Sequence, residues 1–329
     1  MSTTRAAIFR RAMSLVPQLA FATVDGTTAL TMSATGSATT VVDTANQLPV
    51  GYSTLTHKNW FMSRPAMLTG TAGQKAADKV RVVTAYAPTT NTWTVGAPNY
   101  AITPASTEPY RLTKNHPSIW EKALNEALLT ECFFLRFNNF SPTSGTQRLY
   151  TLGSAPLDGV TDLDRAADIH NVQWHDETDA TGEEDWRDWY NGRRTWEAYE
   201  APAGTILIDL GPRQVFDTTM QVRLVVTRPF PTLTDETTAS NVDVEWAAYA
   251  TLLCMGRQLA DLGNPENEWT KVLANLQVGK FVADRRRQEL ARYSRRTVER
   301  TTTVPGGAGI GGRAGAGGGS AIGRHGRGL

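Results

Sequence analysis

The C-terminal segment, residues 301–329, constrains this chain most, because it cannot form a folded unit by itself. Nearly half of residues 305–329 are glycine, and large apolar side chains are almost absent. A segment of this kind buries too little apolar surface to offset the entropy that ordering costs. It carries arginine and histidine but no acidic residue. We therefore predict a flexible, basic arm that gains a fixed shape only in contact with another protein surface.

The rest of the chain has the composition of an ordinary globular protein. Of its 329 residues, 40% are hydrophobic and 20% are charged, which suits one large domain or two modest ones. The formal net charge of +1 gives no overall field that would attract DNA or an anionic membrane. No apolar run reaches the roughly 18–20 residues that a membrane-spanning helix needs. Residues 3–16 predict a short amphipathic helix rather than a signal peptide.

The two cysteines, Cys132 and Cys254, lie far apart in the sequence and in no metal-binding spacing. Both stand among apolar residues with a helical pattern. We expect buried, reduced thiols rather than a disulfide or a redox pair. A fold without disulfides is consistent with assembly in a bacterial cytosol.

Short strands dominate the first third of the chain. Threonine, serine, glycine, valine and alanine recur there in short alternating bursts. The candidate strands are residues 37–43, 59–63, 79–86, 92–95 and 109–112. The turn at residues 88–91 is typical of a hairpin. Short strands with frequent turns predict a small β-barrel or a sandwich, and we assign residues 18–114 to a small β-barrel.

Helical patterns flank a second strand-rich region. Apolar residues at helical spacing predict an amphipathic helix over 115–132; they are Trp120, Ala123, Leu124, Ala127 and Leu128. Candidate strands at 147–152, 194–199, 205–210 and 220–227 predict a β-sandwich over 133–235, with acidic loops at 158–168 and 176–188. Residues 236–300 predict a helical hairpin that is broken near Pro265. The predicted class is α+β, with an N-terminal helix over 1–17 and an extended glycine-rich arm over 301–329.

A succession of short motifs between residues 33 and 128 resembles the neck proteins of tailed bacteriophages. The motifs are residues 37–44, 60–62, 70–74, 81–86, 93–95, 104–106, 109–110 and the helix from His116. Residues 224–234 and the helix from Glu245 resemble a later element of the same proteins. The resemblance covers about two-thirds of the chain, and its motifs are specific as a set rather than singly. Residues 182–194 and the long arm depart from the family.

The resemblance implies a structural virion protein, a head–tail connector or portal adaptor, and no enzyme. Such subunits assemble in the host cytoplasm into a homo-oligomeric ring of about twelve copies, joined by head-to-tail interfaces. The ring would dock on the portal protein, continue the DNA channel and meet another neck or tail protein. Two other hypotheses stay open: a receptor-binding or decoration protein of the virion, and a virion-associated peptidoglycan hydrolase.

Arginines and glycines near the C-terminus are the predicted contacts with the portal or a neighbouring subunit. They are Arg285, Arg286, Arg287, Arg292, Arg295, Arg296, Gly306, Gly307, Gly311, Gly312, Arg313, Arg324 and Arg327. Glycine lets a backbone pass through narrow crevices, and arginine near a helix C-terminus interacts favourably with the helix dipole. The alternatives are a solvated helix face and salt-sensitive, non-specific contact with DNA in the channel.

Aromatic residues cluster between positions 174 and 199. Trp186, Trp189, Tyr190 and Trp196 are the predicted subunit-interface residues, because Trp and Tyr are enriched in protein interfaces and cores. The alternative is a platform on which sugars stack.

No cofactor, metal or catalytic centre is predicted. His170, His175 and Asp176 are weak candidates for metal ligands, since the segment lacks the helical pattern that their spacing would require. Four acids could supply a glycosidase pair, but neighbours on one loop do not set the separation of two catalytic carboxylates. They are Glu183, Glu184, Asp185 and Asp188.

Overall fold

The computed structural model describes residues 2–23, 28–45, 47–48, 55–67, 71–141, 148–157, 168–176, 186–188, 190–191, 194–201, 204–211, 220–261, 263–275 and 277–301. Within these residues the chain is a mixed α+β fold with six helices and several antiparallel sheets. The helices are α1 (Arg5–Ser14), α2 (Ala72–Asp78), α3 (Pro117–Thr130), α4 (Val244–Leu259), α5 (Glu268–Asn275) and α6 (Val278–Thr301). The strands are β1 (Thr3–Thr4), β2 (Ala20–Phe21), β3 (Ala34–Ser37), β4 (Thr40–Val42), β5 (Phe61–Ser63), β6 (Val80–Ala87), β7 (Thr92–Val95), β8 (Arg111–Thr113), β9 (Phe133–Phe140), β10 (Leu149–Thr151), β11 (Ile169–Asp176), β12 (Arg187–Asp188), β13 (Tyr190–Asn191), β14 (Arg194–Thr195), β15 (Glu197–Glu200), β16 (Ile206–Asp209), β17 (Met220–Pro229) and β18 (Ala239–Ser240).

Five helices from both ends of the chain share one apolar core. The Thr4 hydroxyl caps α1, the His116 ring and Pro117 begin α3, and the Asp243 carboxylate caps α4. All five stripe residues predicted for α3 are buried. Other members of this core are Ile8, Phe9, Leu252, Met255, Trp269, Val272, Val278 and Val282. The N-terminal helix is therefore part of the folded unit and not an appendage.

The second helix of the predicted hairpin is two helices. We expected one helix from near Pro265 past Arg292, but α5 and α6 are separate. Gln277 lies between them with φ of 45°, a left-handed conformation that ends a helix. The bend lets both helices pack on α4, with Trp269 and Val272 buried from α5 and Val278 from α6.

The largest sheet has seven strands in the order β2-β8-β5-β6-β7-β4-β3, and each pair of neighbouring strands is antiparallel. The segment predicted as one strand, residues 37–43, contains the end of β3, a two-residue turn and β4. Gly36 stands at this hairpin, where an added Cβ would lie 2.2 Å from the Thr40 carbonyl oxygen. Only glycine permits so close an approach of two backbones. Helix α2, with a Thr71–Gln74 capping box, was not predicted.

This sheet does not close into the small β-barrel that we predicted, as far as the described strands go. It curls around one core, because Phe21 from one edge strand and Val41, next to the other edge, share it. Between the two edges, isolated backbone bonds replace a continuous ladder, from Met32 N to Glu108 O (2.9 Å) and from Gly36 N to Pro104 O (2.9 Å). The edge strands are too short, at two and four residues, to pair along a full barrel seam.

Two smaller antiparallel sheets share a third core. Their strand orders are β12-β11-β17-β9 and β10-β16-β15. Alternate residues of both sheets point inward, including Tyr150, Val172, Ile208, Val222 and Leu224. Phe140 of β9 contacts Tyr150 of β10 with ring centroids 5.2 Å apart. This contact puts β10 on the β9 side of the sandwich, so β15 lies on the far side.

A network of five charges joins the seven-stranded sheet to the helical core. Arg5 pairs with Glu121 and, at 3.7 Å, with Glu236. Lys79 pairs with Glu121 at 2.8 Å, and Arg111 with Glu236 at 2.6 Å. Burial acts to raise the pKa of Glu121, but hydrogen bonds and charge from Lys79 and Arg5 outweigh it and lower that pKa. The network holds the sheet and helices in one arrangement.

Candidate functional site

The arginine-rich stretch of α6 starts where the helix is still fixed to the core. Val282 is buried, and Phe281 stacks on Tyr249 with ring centroids 4.1 Å apart. One turn later, Arg285 reaches Asp243 and Glu289, each at 3.4 Å. Arg286 pairs with Glu131, also at 3.4 Å. Two predicted partner contacts therefore already fasten the helix inside one subunit.

Glu131 is the acceptor that organises this end of the helical core. Its side chain is 7% exposed at the C-terminus of α3, and it pairs with both Arg257 and Arg286. Glu131 is not among the functional residues predicted from the sequence. The signal that could have found it is an acidic residue directly after an apolar helix stripe, where only a cation partner would stabilise it.

Replacing Glu131 by alanine is expected to cost about 1 kcal/mol, because both arginines are about half exposed and solvent weakens their pairs. The local loss of stability in α6 should be larger than the loss in the free energy of unfolding of the whole protein. Backbone amides of residues 283–289 should exchange faster, as measured by hydrogen exchange with mass spectrometry. Glu266→Ala is the matched control, since its carboxylate is 81% exposed and paired with Lys271. Equal exchange in both variants would contradict the fastening role of Glu131.

The next arginine turns away from the core. The Arg287 side chain is 80% exposed, and its pair with Asp284 is 3.7 Å long. Arg292, Arg295 and Arg296 follow on α6, but their side chains lie outside the described part of the structure. The remaining predicted contacts also lie outside it; they are Gly306, Gly307, Gly311, Gly312, Arg313, Arg324 and Arg327.

The predicted aromatic interface divides into different environments. Trp186 is 2% exposed and lies under the Arg223 guanidinium, with Cζ 4.2 Å from the ring centroid. Trp196 is half-buried and packs against the sandwich core. Tyr190 belongs to β13, its side chain is not described, and Trp189 lies outside the described residues. Trp186 and Trp196 thus contact their own subunit.

The weak metal and acid-pair candidates gain no support from the part of the chain that is described. His170 and His175 lie on β11, and the His175 ring contacts Trp186 at 5.5 Å. No group of three potential ligands comes together among the described residues. Glu183, Glu184 and Asp185 lie outside them, and Asp188 is placed only as a backbone position on β12.

Both cysteines are buried free thiols, as predicted. Burial is the main reason that the pKa of each is raised, to about 12 for Cys254 and further for Cys132. A thiol with so high a pKa is almost wholly protonated near neutral pH and reacts slowly. Both side chains contribute to the packing of the helical core.

One exposed surface was missed by the sequence analysis: the outer face of the sheet β10-β16-β15. Its first row pairs Leu149, Asp209 and Glu197 across the three strands. Its second row pairs Thr151, Leu207 and Tyr199. Leu149 and Tyr199 are each 42% exposed. The strands were predicted, but only their pairing brings these six residues together; we call them the acidic–apolar face.

No protein-family model matches this chain, and no curated protein has a significantly similar sequence. Among the described residues, no helix is both long enough and apolar enough to cross a membrane.

Proposed function

We propose that the protein is a structural subunit of the neck of a tailed bacteriophage, a portal adaptor or head–tail connector. Copies of the chain form a ring that docks on the portal protein, continues the DNA channel and presents a surface to the next neck or tail protein. The subunit works mechanically and not as an enzyme. It is built into the virion at the head–tail junction after folding in the host cytoplasm.

The observation that carries the proposal is the course of α6. This helix has 24 residues, which is about 36 Å at the usual rise. Among its described side chains, core burial is confined to the first turns, at Val278 and Val282. The helix then continues through arginine positions and leads into the glycine-rich segment. A long charged helix followed by such a segment suits contact with other subunits better than the needs of a solitary protein.

The motif resemblance gives this assembly its place in a phage neck. Ring formation also fits the energetics, since weak contacts that repeat around a closed ring add up through multivalency. The basic arm adds charge without acidic residues, so its partner should be an acidic protein surface.

Ending the chain at Thr301 should leave the fold intact but abolish docking on the capsid portal. The described residues of the three cores lie between Ile8 and Val282, ahead of the deleted segment, so the melting temperature should stay within about 2 °C. The measurement is complementation in infected cells with the shortened chain, followed by mass spectrometry of purified particles. Intact protein should be found in the particles and the shortened one should be missing.

A second variant tests whether docking depends on the charge of the arm or only on its length. Replacing Arg313, Arg324 and Arg327 by glutamine keeps the arm and removes its arginines. If charge makes the contact, this variant also fails to dock; if backbone threading suffices, it docks. Normal docking of the chain that ends at Thr301 would refute the arm's role. A monodisperse monomer that is missing from phage particles would refute the proposed function.

A further inference from the structure

We infer that the acidic–apolar face binds the arginine-bearing end of α6 from a second copy of this chain. The inference rests on the proposed function, because it names the surface through which neighbours in the ring meet. It supplies a specific head-to-tail contact between two different surfaces, as a closed ring requires.

Two carboxylates are paired across strands on the acidic–apolar face. Glu197 and Asp209 stand directly opposite each other on adjacent antiparallel strands. Side chains so placed have Cβ atoms roughly 5 Å apart, and like charges there destabilise the sheet. The described face carries no lysine or arginine in either row. A cation from outside the subunit would relieve this repulsion.

A row with two large apolar side chains lies beside the carboxylates. Leu207 lies between Thr151 and Tyr199, and the Tyr199 ring is 42% exposed. A partner with both arginine heads and apolar stems fits such a face. Guanidinium groups can pair with carboxylates and also lie over a tyrosine ring.

One face of α6 changes its composition along the helix. Positions 278, 282 and 285 lie on the face that packs on the core, with Val278 and Val282 buried and Arg285 paired to Asp243. At the same helical spacing this face continues through positions 289, 292, 296 and 300, and the last three are arginines. The face changes from valine to arginine where the core residues end. It therefore needs an acidic surface and not a further apolar one.

The occupant belongs to another copy, because the face is exposed in the presence of the subunit's own α6. In one subunit α6 packs on α4 and α5 and contacts β12. Meanwhile Leu149, Tyr199 and Glu197 remain exposed. This exposure leaves the face available to a neighbour.

The test is a charge exchange read by native mass spectrometry and sedimentation over a range of concentrations. Glu197→Arg should raise the concentration needed for half-assembly of the ring by about tenfold or more, because like charges then meet across the interface. The pair Arg292→Glu and Arg296→Glu should do the same. Combining all three changes in one chain should restore assembly, because the two charges have exchanged places. Glu266→Arg, at an exposed carboxylate away from the face, should leave assembly unchanged.

Each remaining outcome decides against part of the scheme. If the intact chain forms rings and Glu197→Arg assembles equally well, the inferred contact is wrong and the proposed function stands. If the chain that ends at Thr301 stays monomeric while the Arg292 and Arg296 changes have no effect, the arm and not the helix is the occupant. If the intact chain never assembles and is missing from particles, the proposed function itself fails. Should Glu197→Arg fold poorly by circular dichroism, Glu197→Gln gives a milder test, and unchanged assembly would again refute the contact.

Discussion

Replacing Arg64 by methionine is expected to destabilise the protein by roughly 3–5 kcal/mol, the usual cost of leaving one member of a buried ion pair alone. Arg64 and Glu108 are both fully buried, and the guanidinium donates to Glu108 Oε2 at 2.6 and 3.0 Å. A third donor, Nη1, lies 2.7 Å from the Ile102 carbonyl oxygen. Methionine fills a similar volume but satisfies none of these groups. Urea unfolding followed by tryptophan fluorescence measures the loss.

Two further variants decide whether charge is the reason. Arg64→Lys keeps the charge but not the planar guanidinium, so it should recover only part of the loss. Adding Glu108→Gln to Arg64→Met removes the buried negative charge that has lost its arginine, and the double variant should be more stable than Arg64→Met alone. If all three are as stable as the intact chain, the pair does not hold this part of the sheet together.

The ion pair belongs to a larger buried polar group at one end of the seven-stranded sheet. Asp78 accepts from Arg81 at 2.8 Å and from the Ile102 amide at 2.5 Å. The Arg64 and Arg81 guanidiniums lie 4.8 and 5.1 Å from the Tyr100 ring centroid. These contacts fix the loop between β7 and β8 to Arg64, Arg81 and Asp78.

The spacing of apolar residues predicted helices and strands well where a single helix or strand turns one face to the core. The stripe of α3 and the strand β7 were predicted almost to the residue, because the pattern in each is local. The break at Gln277 was missed, since glutamine gives no turn signal and its left-handed conformation is imposed by the packing of α5 and α6 on α4. The open sheet was predicted as a barrel because strand spacing does not show which edges pair.

The same is true of the candidate contact residues: those marked by a local sequence pattern were predicted, and those brought together by the fold were not. Arginine density in α6 was visible in the sequence, but its acceptors Glu131 and Asp243 are far away along the chain. The acidic–apolar face could not be predicted, because strand register alone places Glu197 beside Asp209. Resemblance of short motifs suggested a neck protein without locating any of these contacts.

A buried histidine gives the seven-stranded sheet a dependence on pH. His57 is 1% exposed, and four aromatic rings surround it within 6.3 Å; they belong to Phe21, Trp60, Tyr86 and Trp93. Trp93 Nε1 donates to His57 Nδ1 at 3.3 Å, so the neutral ring carries its proton on Nε2. Among the described residues Nε2 has no hydrogen-bond partner. Among the described residues, the Lys114 ammonium lies over the Trp60 ring, 5.7 Å from its centroid, and the Asp43 charge adds to burial in raising the pKa of Tyr86.

Acid should therefore unfold this protein partly through His57, and His57→Asn should weaken that effect. Burial lowers the pKa of His57 from 6.5 to about 4, so between these values the unfolded chain binds a proton that the folded one excludes. The stabilisation is complete above pH 6.5 and falls with pH, by on the order of 3 kcal/mol at pH 4. Asparagine suits the left-handed φ of 47° at this position and does not titrate. Urea unfolding between pH 7 and 4 should show a free energy of unfolding that depends less on pH in His57→Asn, despite lower stability at pH 7.

The control is His116→Asn, at an exposed helix cap, which should keep the steep dependence of the intact chain. An equally steep dependence in His57→Asn would assign the acid sensitivity to carboxylates instead.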